Sequence, residues 1–277
     1  MRKVILITGA SSGLGKAMCE EFAKAGNRVI GTSRNISGNN ETIHIDECVS
    51  YEMINLDVTD EESCNKAVNY VVNNEGRIDL LVNNAGFGIA GSLELTDEEE
   101  MRSQIDTNFF GAFRMYRAVI PYMRKQQSGR IINVSSVASV VPIPFQSLYS
   151  AGKAALDSLS QSADMEVRRF GIKSVTVRFG DMKTGFTRNR VKTKGTIYDE
   201  LSSRTYTERF EHSLKTMERD EQNGHSPQFG AKLIVKISDK KKPKPIYVCR
   251  FDYKLLVILR RLLPVRLTDY VISKIYS

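Results

Sequence analysis

Short apolar runs alternate along the chain with longer segments whose apolar positions recur at spacings of three and four. The first pattern is that of buried strands and the second that of helices with one apolar stripe, so their alternation describes strand–helix–strand units around a parallel sheet. Strands are predicted over residues 4–8, 28–32, 52–56, 80–83, 130–134, 174–179 and 246–249, enough for a doubly wound sheet. Helices are predicted over 14–24, 61–74, 98–126, 148–170 and 228–238, with Thr59-Asp60 and Ser226-Pro227 as starts. Pro121 is expected to kink or end the third of these, because proline brings no N–H to the helix ladder. Right-handed crossovers between parallel strands gather binding residues at the strands' carboxyl ends.

Two segments depart from the alternation. Residues 182–224 are polar and rich in Thr, Arg and Lys, and a connection this long in a compact domain is expected to form a partly helical substrate lid. Residues 253–276, within a basic C-terminal extension over 250–277, interleave Leu, Val and Ile with Arg260, Arg261, Arg266 and Lys274. A basic amphipathic helix suits an anionic membrane surface. Pro264 divides the segment, however, so packing across the substrate cleft or a subunit interface is the preferred expectation.

With 277 residues, a single domain over 1–277 is expected rather than two small ones. Apolar residues at 41% and charged residues at 26% exclude disordered and fibrous classes. No run approaches the roughly 18 apolar residues of a membrane span. The chain enters its first strand directly after Met1, without the pattern of a signal peptide. Four cysteines without C-x-x-C spacing, and three histidines that form no ligand pattern with them, point to a reducing compartment, the cytoplasm, and to no metal. The net charge of +8 is concentrated in residues 236–277, with eleven Lys or Arg against three Asp. This basic end lacks a nucleic-acid-binding motif or an aromatic-interleaved platform, so no nucleic-acid partner is expected.

Gly9, Ser11, Ser12, Gly13, Leu14 and Gly15 lie in a turn between the first strand and the first helix. Glycines let backbone N–H groups approach a pyrophosphate there, and the helix N-terminus favours negative charge, as in Rossmann-type domains. The second strand ends in Thr32-Ser33-Arg34, where an NAD site would offer a carboxylate to the adenine ribose. Ser33 and Arg34 suit a 2′-phosphate instead, so NADP(H) is preferred, although a surface arginine is the plain alternative. Asp57 and Val58 follow the third strand, where Asp57 is placed either to accept from the adenine amino group or simply to start a turn. Asn84, Ala85 and Gly86 end the fourth strand with small residues suited to close approach by a cofactor.

Tyr149 and Lys153 stand four apart at the start of a predicted helix and share a face. A neighbouring ammonium lowers the pKa of a phenol, normally about 10, and makes it a usable acid/base group. Ser136, just past a strand, is placed to donate to a substrate carbonyl oxygen, with Ser135 as competitor.

Together, TGASSGLG, NNAG, the serine of NVSS and Y-S-A-G-K resemble the short-chain dehydrogenase/reductase family over residues 3–250. The resemblance implies a seven-stranded doubly wound parallel sheet with helices on both faces, NAD(P)(H), and a homodimer or homotetramer. It further implies that Tyr149 is the acid/base and Lys153 holds the nicotinamide ribose and depresses the tyrosine pKa. Ser136 would polarise the carbonyl, Asn108 shape a proton-relay water, and Thr184 contact the carboxamide. Two departures are Phe179-Gly180 where the family has Pro-Gly, and Gly152 where it has Ser.

Ile143 and Phe145, with Met182 and Phe186, are expected to line an apolar substrate pocket. The Pro-Phe before Tyr149 and the long C-terminus resemble the hydroxysteroid and retinol dehydrogenase branches. A lipophilic, steroid-like carbonyl/alcohol pair is therefore the expected substrate. Small aldehydes or ketones, quinones and acyl carriers are the alternatives, as is a non-catalytic NADP(H)-sensing regulator.

Overall fold

The computed structural model describes residues 2–36, 38, 40–186, 189–195 and 200–276. In chain order its elements are β1 (Val4–Ile7), α1 (Gly13–Lys24), β2 (Arg28–Ser33), β3 (Asn40–His44), β4 (Ser50–Asn55), α2 (Glu61–Glu75), β5 (Leu80–Asn83), β6 (Ile89–Ala90), α3 (Glu98–Ile105), α4 (Gly111–Gln126), β7 (Gly129–Ser136), α5 (Ser147–Val167), β8 (Ile172–Phe179), β9 (Val191–Lys192), α6 (Glu200–Gln222), α7 (Pro227–Ser238), β10 (Ile246–Val248), α8 (Phe251–Leu262) and α9 (Val265–Tyr276).

The main sheet runs β10-β8-β7-β5-β1-β2-β4-β3, and every neighbouring pair is parallel except β3 with β4. The order reverses at β1, which has β2 on one side and β5 on the other, and this is where an open α/β sheet leaves a crevice for ligand. Alternation of side chains along each strand builds two cores. Leu6, Ile30, Leu81 and Ile131 face one way and pack with Val68, Val119 and Ala163 of the helices on that side. Ile5, Ile7, Val82 and Ile132 face the other way, onto Phe22 of α1 and Ala231 and Ile234 of α7. Phe22 is 1% exposed, and burial of such a ring contributes about 1.5–3 kcal/mol.

The expected seven strands are joined by an eighth, β3, at the edge. Of its residues only Ile43 is even half-buried, so no apolar run announces it. An Asx turn closes it onto β4, the Asp46 carboxylate accepting from the backbone N–H groups of Cys48 and Val49 at 2.8 Å each. A separate pair, β6 with β9, is also parallel.

The expected helix over 98–126 is two helices, α3 and α4, joined through one π-helical turn, Asp106–Phe110. Pro121 does not end it; α4 continues to Gln126. Proline costs one hydrogen bond, and the buried face of Met115, Val119 and Met123 outweighs that loss. Within 182–224, α6 places Phe210, Leu214 and Met217 against Ala90, Ile143 and Phe145. No described helix is long and apolar enough to cross a membrane.

Candidate active site

The first turn of the chain is shaped by space. Gly9 has φ of +65°, and a Cβ there would stand 2.8 Å from the Cα of Ala85, so only glycine fits between the ends of β1 and β5. A Cβ on Gly15 would overlap the Gly9 carbonyl, so its absence lets α1 sit directly on the turn. Ser12 caps α1 without a side-chain hydrogen bond, and the first turn holds no acidic residue, which leaves helix N–H groups directed at the cleft. Thr8 and Asn84 lock the arrangement. Asn84 Nδ2 donates to the carbonyls of Thr8 and Gly9, both at 2.9 Å, while Thr8 Oγ1 accepts from Asn84 N at 2.9 Å and Ala85 N at 3.0 Å.

The cleft extends from this turn along two arms. On one, Ser33 ends β2 and Arg34 is exposed, forming no ion pair among the described residues. Asp57 Oδ1 accepts from Thr59 N at 2.9 Å and Thr59 Oγ1 at 2.7 Å, so one of its oxygens serves the turn, and Val58 is buried against Gly111. On the other arm, Thr184 approaches Gly13, standing 3.5 Å from where its Cβ would be, and Phe186 sits over Gly88. The whole cleft encloses about 1920 Å³, well above the roughly 300–1,000 Å³ of a single small-ligand pocket. That is room for two ligands side by side.

Ser136, Tyr149 and Lys153 meet at the junction of the arms. Ser136 and Tyr149 both line the cleft and the Ser136 hydroxyl acts to lower the Tyr149 pKa, whereas Ser135 is buried with its hydroxyl unpartnered, which favours Ser136 of the two. Lys153 Nζ donates to the Val134 carbonyl at 2.9 Å and lies 5.7 Å from the centre of the Tyr149 ring. Strand β7 and helix α5 are pinned behind the site by Asn133, whose Nδ2 donates to Ser160 at 3.0 Å and to the Tyr116 hydroxyl at 2.7 Å. Buried Asp157 and Arg178 pair at 2.7 Å between α5 and β8.

The expected depression of the tyrosine pKa is not found. Burial pushes Tyr149 up to about 12, against the lowering effect of Ser136, and the same cause brings Lys153 down to about 8. In this low-dielectric corner the loss of hydration outweighs the attraction between the two groups.

Every cofactor candidate read from the sequence lines the cleft, as do Ile143, Met182 and Phe186. Two site residues do not. Phe145 has φ of +61°, which turns its ring away from the cleft and onto Phe210, 5.5 Å between centroids, and Tyr206. Asn108, 2% exposed in the π-turn, holds the backbone of Phe87, accepting from its N–H at 3.1 Å and donating to its carbonyl at 2.9 Å. It lies in a second cavity of about 10 Å³ shared with Lys153, about the room one water needs.

The C-terminus makes a wall of the cleft, the first of the two placements expected for it, although its individual lining residues were not read from the sequence. Helices α8 and α9 close the apolar arm with Tyr253, Leu256, Leu259, Val271, Ile272 and Tyr276. Gly180, at the departure from the expected Pro-Gly, has no room for a Cβ because the Tyr253 ring occupies it. The Tyr253 hydroxyl donates to Asp181 Oδ2 at 2.5 Å and accepts from Asp181 N at 3.0 Å. Burial raises the Asp181 carboxyl and pushes the Tyr253 phenol well above its ordinary range. Glu221 also lines the cleft and pairs with buried Arg190.

A glycine turn at the switch point, and a hydroxyl–phenol–ammonium cluster facing an apolar arm, define a nucleotide-binding oxidoreductase of carbonyl and alcohol groups. Comparison with known proteins agrees: the short chain dehydrogenase model matches residues 3–195. A 3-ketodihydrosphingosine reductase from Bacteroides thetaiotaomicron is 43% identical over 241 residues, which is 87% of this chain and 85% of that protein. The crystal structure of a short-chain dehydrogenase from Streptomyces avermitilis superposes with a TM-score of 0.81 at 31% identity, covering 99% of this chain and 97% of that one. ElxO with NADP bound superposes with a TM-score of 0.72 at 27% identity, covering 92% and 100%. The chain belongs to the short-chain dehydrogenase family.

Proposed function

We propose that this chain is an NADP(H)-dependent oxidoreductase of the cytoplasm that reduces a lipophilic ketone with a long chain to its secondary alcohol. The observation that supports it most is the gathering of Ser136, Tyr149 and Lys153 where the glycine-turn arm meets the apolar arm, with the Lys153 ammonium 5.7 Å from the centre of the Tyr149 ring.

The residues present fit a phosphorylated dinucleotide. Gly9 and Gly15 let the turn close tightly against Ala85 and the start of α1, Gly13 leaves open space beside that start for a pyrophosphate, and Arg34 offers an exposed guanidinium where no carboxylate stands. The NADP in ElxO supports the same preference. When bound, the nicotinamide supplies hydride to the carbonyl carbon. Ser136 and Tyr149 then donate to the carbonyl oxygen, and Tyr149, neutral at pH 7 with a pKa near 12, gives it a proton. Lys153, with a pKa near 8, is still about 90% ammonium at pH 7 and offsets the phenolate left behind. The small cavity between Asn108 and Lys153 is the route by which the proton is replaced.

The substrate preference rests on the apolar arm built by Ile143, Met182, Phe186 and the C-terminal helices, and on the substrate named for the Bacteroides relative. That relative favours an extended keto-lipid over a steroid. The described residues of 182–224 serve as the substrate lid of a single domain, residues 187–188 and 196–199 of the expected lid lying outside the described ones, and the assembly is a homodimer or homotetramer.

NADPH oxidation with 3-ketodihydrosphingosine, a steroid ketone, a small aldehyde and a quinone tests the reading. The keto-lipid is expected to turn over fastest, and Tyr149→Phe to lower its rate by about 10²–10⁴-fold. A rate untouched by that substitution would overturn the mechanism.

A further inference from the structure

The two faces of the C-terminal helices differ in what they touch. Phe251, Leu255, Ile258 and Leu262 fall at spacings of four, three and four on α8, which puts them on one stripe. None of them lines the cleft, and their exposures are 79%, 45%, 51% and 76%. Elsewhere around the same helix Val257 is buried, and Leu256 and Leu259 line the cleft. On α9, Leu267, Val271 and Ile275 recur every four residues; they line the cleft and are also 46–49% exposed. The outer apolar surface is therefore continuous with the rim and the interior of the apolar arm.

Within the two helices the unpaired charges have one sign. Within residues 250–276 the acidic side chains are Asp252 and Asp269, and each is paired, with Arg250 and Arg260 respectively. Lys254, Arg261, Arg266 and Lys274 are exposed and have no ion pair among the described residues. Lys254 and Arg261, seven apart, flank the α8 stripe on one side, and Lys274 stands beside the α9 row, with Arg266 at the start of that helix.

We propose that α8 and α9 seat the protein on an anionic lipid surface, so that a lipophilic ketone enters the apolar arm from the bilayer without crossing water. Aliphatic side chains enter the interface to a depth of about 5–10 Å, while unpaired lysine and arginine groups meet anionic headgroups. No described helix can span a bilayer, so the contact is with one leaflet. A second copy of the chain would also cover the stripe, but four unpaired cations and no free carboxylate in this segment make it a poor partner for itself. The inference extends the reading of the substrate as a lipophilic ketone.

Sedimentation of the full chain with vesicles tests it, without substrate or cofactor present. Partition into an equal mixture of phosphatidylcholine and phosphatidylglycerol is expected to exceed partition into phosphatidylcholine alone by at least about tenfold, and to fall as salt is raised. F251E/L262E is expected to lose at least about tenfold of that partition. K254E/R261E is expected to lose the preference for the anionic vesicles. Both variants should keep the wild-type Tm and the wild-type kcat on a water-soluble ketone, and lose rate only on a vesicle-embedded one. Wild-type protein that stays in the supernatant with anionic vesicles, or F251E/L262E that sediments like wild type, overturns the proposal. A stripe covered by a second copy would instead show as a dimer, indifferent to vesicles, that F251E/L262E converts to monomer. Failure of the reductase reading would appear separately, as absent turnover with vesicle partition intact.

Discussion

A Cβ on Gly180 would overlap the ring of Tyr253, so the exit of β8 and the first turn of α8 touch at a point that admits only glycine. The contact fastens the C-terminal wall of the cleft to the sheet, and the Tyr253–Asp181 hydrogen bonds reinforce it. Gly180→Ala is expected to push α8 outward, at a cost of about 1–3 kcal/mol in denaturant unfolding. The KM for a long-chain ketone should rise several-fold, while affinity for NADPH stays at the wild-type value because the glycine turn is remote from the contact. Equal rises in both would mean that the contact supports the whole sheet and not the apolar arm.

Lys153 gives the protein a pH signature. Its folded pKa of about 8 is depressed from 10.5, so below pH 8 the folded state holds a buried ammonium that the unfolded chain hydrates. Between about 8 and 10.5 the unfolded chain binds the extra proton, so folding is favoured progressively as pH rises through this window. The difference corresponds to about 3 kcal/mol. Lys153→Met is expected to raise the Tm of the cofactor-free protein at pH 7, with the advantage shrinking above pH 8 and gone near 10.5. An advantage independent of pH would show that Lys153 is not held in a depressed state.

Arg34 separates the two nicotinamide cofactors. A guanidinium meeting a 2′-phosphate forms charge-assisted hydrogen bonds of about 1.5–3 kcal/mol. Arg34→Asp is expected to weaken NADPH binding by about a hundredfold or more, and to leave NADH binding near wild type, in fluorescence titration. Wild-type protein that binds the two equally would refute the preference.

Asn84 is spent on the scaffold. Its amide nitrogen donates to two carbonyls of the glycine turn, so Asn84→Asp would set carboxylate oxygens against carbonyl oxygens. A loss of about 1–3 kcal/mol in unfolding free energy is expected, together with weaker binding of either cofactor. Weaker binding with stability unchanged would place the residue in contact with the dinucleotide instead.

The elements of the fold and most of the site are written locally. Apolar periodicity places the seven parallel strands, and the glycine spacing at the first strand–helix junction places the phosphate cradle, because both depend on residues adjacent in the chain. Tyr149 and Lys153 share a helical face by spacing alone, and the other candidates stand at strand ends that the same periodicity places, where the cleft opens. Edge strand β3 was not legible, since an exposed strand has no reason to be apolar, and nor was the π-turn at Asp106–Phe110, which packs on α5, distant in the chain.

Contacts between distant parts of the chain decided the rest. The ring of Phe145 follows a left-handed backbone onto Phe210, 65 residues away, and so leaves the substrate wall to α8 and α9. Tyr253 reaches Asp181 across 72 residues. The acidity of Tyr149 depends on how much water its surroundings exclude, a sum over neighbours from many elements, and there burial overrode the effect that the Tyr–Lys spacing suggested. Periodicity names the face a side chain takes on its own helix; which other element meets that face is settled when the chain closes on itself.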